Sequence, residues 1–142
     1  MFFDLRSLIE LLTSSIRWTT DTCERILASF DLKETTSAPG RRDFTAFSGL
    51  RACLYSKVDG SPERIEFPFA LPEALRGNPE LINRYVDFMA LPLKAELGEP
   101  NSARHGETQS LSWSLPIGTV TVAPDATAVE NVALILAPPT RS

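Results

Sequence analysis

Between Gln109 and Thr140 the sequence contains no lysine, arginine or histidine, and only two acids, Asp125 and Glu130. A solvated surface normally carries charge, so most of this segment needs cover from its own chain or from another. Pro116, Pro124 and Pro138 break it into runs far shorter than the roughly 20 apolar residues of a membrane-crossing helix, so no membrane span is expected. Histidine is almost missing, His105 being the only one, and Cys23 and Cys53 form no CxxC pair. A zinc site within the chain is therefore not expected. The Walker-type phosphate loop, GxGxxG, the GxSxG elbow and HExxH are all missing, which removes the common sequence marks of nucleotide binding and of hydrolysis. No cofactor is expected.

What is present describes an ordinary folding chain. A length of 142 residues fits one domain, and a domain near that size buries roughly 68–70% of the surface its unfolded chain exposes. An apolar share of 43% supports a core without disulfides, and a net charge of -4 argues against nucleic acid as a partner. The densest basic cluster is only Arg41 and Arg42, beside Gly40. Both cysteines lie among apolar neighbours, which favours buried free thiols over a single disulfide. Asp4, Arg6 and Glu10 interrupt the apolar N-terminus, so no cleaved signal is expected, and the expected location is the cytoplasm or an assembled particle.

The first third has helical spacing. Leu5, Leu8, Ile9, Leu12 and Ile16 recur on one face, and Cys23, Ile26, Leu27 and Phe30 continue the pattern after a threonine-rich break. Asp21 followed by Glu24 reads as a capping box, giving helices over 4–16 and 21–32, with one bent helix as the alternative. Residues 1–34 thus form an N-terminal amphipathic arm. Residues 35–43, which lack apolar periodicity and contain Pro39-Gly40, read as a loop or linker before a core domain at 44–139.

In that core, alternation over 50–58 and 65–71 predicts a hairpin with a five-residue loop, its second strand at an edge or ending early because Pro68 has no N–H to donate. Asn78-Pro79 predicts a capped helix that Pro92 kinks or stops near Ala90. Gly98 to Thr108 reads as a polar loop. Three strands follow, at 111–115, 119–123 and 131–137, the last apolar on both faces and hence central. The expected class is α+β: N-terminal amphipathic helices, then a mostly antiparallel sheet of about five strands packed by a central helix. No internal repeat is visible in the residues.

Few side chains invite chemistry. His105 and Glu107 in the polar loop form the one candidate acid–base pair, and a solvated loop explains them as well. Asp59, Glu63 and Glu66 could gather carboxylates at the hairpin, but Lys57 and Arg64 are interleaved with them. The expected function is a non-catalytic structural or interaction subunit, bound to other protein subunits as a homo- or hetero-oligomer. Small accessory proteins of phage particles and of bacterial machines share this size and plainness. The candidate contact residues are Leu5, Leu8 and Leu12 on the arm, and Ser112, Ser114, Thr119 and Thr121 on the uncharged strands. The alternative is a small enzyme or ligand-binding domain with a pocket between the sheet and helix 79–90.

Overall fold

The computed structural model describes residues 10, 17–71, 73–105, 109–115, 118–124 and 131–138. Eight strands form one sheet: β1 (Lys33–Ala38), β2 (Arg41–Thr45), β3 (Arg51–Ser56), β4 (Pro62–Ala70), β5 (Ser102–His105), β6 (Gln109–Ser114), β7 (Thr119–Pro124) and β8 (Asn131–Ala137). Their spatial order is β1-β2-β3-β4-β8-β7-β6-β5, and every described pairing is antiparallel. Helix α1 (Thr20–Ser29) precedes β1, and α2 (Pro79–Leu97) precedes β5. The chain therefore repeats one topology, a helix followed by a four-strand meander, and joins the two meanders through their last strands. That join, β4 against β8, pairs Ile65 with Leu136 and Phe67 with Leu134.

Strand alternation sends one row of side chains to each face. On one face Phe44 opposes Ala52, Leu54 opposes Ile65, Trp113 opposes Val120 and Leu111 opposes Val122, all buried. Both helices cover this face. α1 contributes Cys23, Ile26 and Leu27, and α2 contributes Ile82, Val86, Ala90 and Leu93, to one continuous apolar core. α1 lies against β4, where Phe30 meets Phe67 edge-on at 6.0 Å, while α2 crosses β6 and β7. Two indoles lock this layer to backbone: Trp18 donates to the Pro62 carbonyl at 2.9 Å and Trp113 to the Gly98 carbonyl at 3.0 Å. A buried indole N–H without such an acceptor would carry the full cost of desolvation.

The helix ends follow their local chemistry. Asn78 caps α2, its side-chain oxygen accepting from the Glu80 and Leu81 amides, with Pro79 at the first helical position. α1 is capped by Thr19, which accepts from the Thr22 amide, rather than by the expected Asp21. Asp21 instead lies in the first turn, where its charge suits the helix dipole and pairs with Arg25. The five-residue loop between β3 and β4 is as expected; Asp59 accepts from the Ser61 amide and hydroxyl to fold it back.

Several expectations need correction. The sheet has eight strands, not about five, because β1, β2 and β5 also pair. Residues 35–43, expected as a loop, lie largely in the β1–β2 hairpin that turns at Pro39-Gly40. Every residue of β1 is exposed, so no apolar rhythm marks it. The polar loop after Gly98 contains β5. β4 is central rather than peripheral. Its described pairing with β3 ends at Cys53 and Glu66, so Pro68 stands where no donor to β3 is required. α2 runs through Pro92 to Leu97 instead of stopping near Ala90, since Leu93 is buried and Leu97 packs on the core beyond the proline. Among the described residues one helix precedes the sheet; the expected helix 4–16 lies outside them apart from Glu10.

Candidate functional site

The face of the sheet turned away from α1 and α2 carries a different chemistry. A single row crosses all eight strands, one residue from each: Thr36, Asp43, Cys53, Glu66, Ile135, Thr121, Ser112 and Ser102. Ile135, Thr121 and Ser112 of this row are uncharged, and two residues along β5 from Ser102 stands Arg104, opposite Ser110. Ser112 and Thr121 share a hydrogen bond at 2.9 Å, and Ser114 opposes Thr119 in the neighbouring row. On the other side of Ile135, Pro68, Ala133 and Ala123 form a short apolar row across β4, β8 and β7. Ala133 is only 1% exposed, while Ile135, Thr121 and Ser112 are half-buried.

In the β2–β4 half, Arg41 and Arg64 are paired with Asp43 and Glu66, and Arg51, opposite Thr45, is a third, exposed cation on the same face. Arg41 donates to Asp43 at 2.9 Å, Thr36 donates to the other Asp43 oxygen at 3.0 Å, and the Cys53 thiol donates to Asp43 at 3.2 Å. The Arg41 hydrogen bond, followed by that of Cys53, holds the Asp43 carboxyl below the usual aspartate range. Burial, then the hydrogen bond to Asp43, pushes the Cys53 thiol up. Both shifts favour the forms already present at neutral pH, a carboxylate and a protonated thiol, so Cys53 is a poor nucleophile. Arg64 donates to Glu66 at 2.6 Å and lies 4.0 Å from the centre of the Tyr55 ring, with Arg41 at 5.6 Å from the same ring. The second cysteine, Cys23, is in the core, and burial, with Glu24 adding to it, pushes its thiol up to about 12.

The chain matches no protein-family model, no curated protein and no solved structure. Its own geometry therefore carries the functional reading.

Of the candidate contact residues, Ser112, Ser114, Thr119 and Thr121 are brought together on adjacent strands of the open face. Leu5, Leu8 and Leu12 lie outside the described residues. His105 ends β5 at the rim of the sheet, its backbone paired with Gln109, and its possible partner Glu107 lies outside the described residues. The acidic residues of the hairpin are held apart by arginine: Arg64 takes Glu66 on one side and Glu63, at 2.8 Å, on the other. Among the described residues no group of three or more histidine, cysteine, aspartate or glutamate side chains is placed to hold a metal ion, and no helix is long and apolar enough to cross a membrane. The seam between α2 and the sheet, the expected place for a pocket, holds Val86, Ala90, Leu93, Trp113 and Val122 as buried core.

Sequence reasoning missed the apolar centre of the open face, Pro68, Ala133 and Ile135. Ala133 and Ile135 read only as part of a doubly apolar strand, and the signal that would have placed them is the β4–β8 register, which no local pattern encodes.

Proposed function

We propose that this chain is a non-catalytic interaction subunit of a larger protein assembly and that it contacts its partner through the open face of the sheet. The observation that carries this reading is the row from Ile135 through Thr121 and Ser112, which is uncharged and set on the side of the sheet opposite α1 and α2. Protein contacts put apolar and neutral groups at the centre and polar groups at the rim. Here Pro68, Ala133 and Ile135 supply an apolar part, and the paired Arg41–Asp43 and Arg64–Glu66 groups lie beside it on β2 and β4. Such a part suits an accessory component of a phage particle or of a bacterial machine.

The test is affinity capture of the tagged full-length chain from its own host, beside Thr121→Arg, with the captured proteins identified by mass. A partner held by the parent and lost by the variant supports the reading. Identical capture by both removes the open face as the contact surface.

A further inference from the structure

We infer that the N-terminal arm of this chain, residues 4–16, is a third helix of the covering layer, packed antiparallel to α1 in the trough between α1 and α2. It roofs the β4–β8 join on the helix side of the sheet, so it stands apart from the open-face reading. Leu5, Leu8 and Leu12 then belong to the core and not to a partner contact.

The trough follows from the width of the sheet. Eight strands at about 4.8 Å spacing span about 34 Å, and two helices about 10 Å across cover only about 20 Å of it. α1 is held at β4 by Phe30 against Phe67, and toward β2 by Glu24, which pairs with Arg42 at 3.1 Å. α2 is held at β6, where the Gln109 amide donates to Asn83 at 2.7 Å and the Gln109 side chain donates to Asp87. Between β4 and β7 runs β8, with Val132, Leu134 and Leu136 buried on the helix side.

One wall of the trough is apolar and open. At about 100° per residue, Asn83 and Asp87 mark the flank of α2 turned toward β6 and the β5 edge. Leu81, Tyr85, Phe88 and Met89 therefore share the opposite flank, turned toward α1. Phe88 is 64% exposed there, with the Tyr85 ring 6.3 Å away.

Connectivity and pattern select the arm as the occupant. Leu5, Leu8, Ile9, Leu12 and Ile16 form one apolar stripe at helical spacing, which needs cover, while Glu10 on the other side is helical and exposed. Thr19 is extended, with φ -134° and ψ 166°, and caps α1, so the arm is a separate helix joined to α1 by residues 17–19. So short a link makes neighbouring antiparallel helices. Within it Trp18 donates to the Pro62 carbonyl, which fixes the turn at the start of β4, the strand beside β8. From that point a helix over 4–16 reaches about 20 Å, close to the about 23 Å of β8. The β2 side of α1 is taken by Glu24 and Arg42, and the side toward α2 is where Phe88 waits for a neighbour.

The experiment is amide hydrogen exchange on the purified full chain, read on the peptide covering residues 5–16 at about 1 and about 100 μM. An undocked helix of this length is marginal in water and exchanges freely, whereas a docked one is protected. The parent should slow exchange at least about a hundredfold against an unstructured peptide, equally at both concentrations, since the contact lies within one chain. Phe88→Glu, and separately Leu8→Glu, should speed it at least about tenfold, because each sets a charge in the apolar contact. Leu91→Glu should leave it unchanged: Leu91 is 57% exposed and follows Asp87 by one turn, toward the polar flank. Circular dichroism checks that the variants fold, and Tyr85→Ala replaces Phe88→Glu if that one does not. Free exchange in the parent overturns the inference. Protection that appears only at about 100 μM gives the arm to another copy and overturns it too. So does protection indifferent to Phe88→Glu, or lost equally with Leu91→Glu, since the arm then lies elsewhere. None of these outcomes touches the open-face reading, which the capture of partners by Thr121→Arg decides.

Discussion

Pro92 interrupts the hydrogen-bond ladder of α2, and removing it should make the protein more stable. A proline inside a helix removes one amide donor and presses its ring on the carbonyl four residues back, at a cost of about 3 kcal/mol. Here that carbonyl belongs to Phe88, and α2 nevertheless continues to Leu97. Packing of Leu93 and Leu97 holds the last turns in place, so the helix bears the cost instead of ending. Alanine restores the donor and relieves the clash, but it also frees the unfolded chain, which returns about 0.4–1 kcal/mol to the other side. Helices that carry an internal proline relieve part of the clash by bending, so the net gain expected for Pro92→Ala is about 1–2 kcal/mol. In a domain of this size that raises the melting temperature by roughly 3–8 °C, measured by calorimetry or by urea titration. The side chain at this position is exposed, so no core contact is lost. An unchanged or lower melting temperature would refute the reasoning. It would mean that the bend itself seats Leu93 and Leu97 on the sheet.

Phe67→Ala should cost about 3–5 kcal/mol in a urea titration, because the ring is fully buried at the β4–β8 join and meets Phe30 edge-on. A cost below about 1 kcal/mol would show that the core closes over the gap. Gly118→Ala should destabilise by more than about 2 kcal/mol, since a Cβ there collides with the Ala137 carbonyl and pushes β7 off β8; a neutral effect would contradict that approach. Asp43 has its carboxyl held low in the fold, so its contribution is present above the unfolded value near about 3.9 and is lost as pH falls through the folded value. Asp43→Asn should therefore flatten the fall in melting temperature between about pH 5 and pH 2, and an equal slope in parent and variant would remove Asp43 from acid unfolding.

The parts of the fold visible in the residues are those where burial on one side imposes a rhythm. Leu111 and Trp113 alternate with serines, Val120 and Val122 with Thr119 and Thr121, and each segment is a strand. Asn78-Pro79 marked the start of α2 because the cap is made by the very next residues. Of the missed strands, β1 and β5 are edges, and β2, between β1 and β3, has only Phe44 buried. β1 is exposed throughout and β5 is only four residues long, so their pairing comes from the neighbouring strand and not from their own side chains. The repeated topology escaped because the halves are written differently. One meander uses arginines and acids on its open face where β6 and β7 of the other use serine, threonine and alanine. That Ser112, Ser114, Thr119 and Thr121 stand on the polar side of their strands was legible from alternation, but the apolar residues beside them depend on a pairing between distant segments.

That distant pairing also dictates how the chain reaches its fold. Within each meander a strand finds its neighbour across a short turn, as Arg41 finds Ala38 and Ser56 finds Pro62. The β4–β8 ladder instead joins Ala70 to Asn131, and closing so long a loop takes entropy that only the completed join returns. Contacts of large sequence separation slow folding, so the meanders should assemble early and the join should set the rate. Substitutions at Leu134 or Phe67 are then felt chiefly in the folding limb of a chevron, while those in the β1–β2 hairpin chiefly shift unfolding.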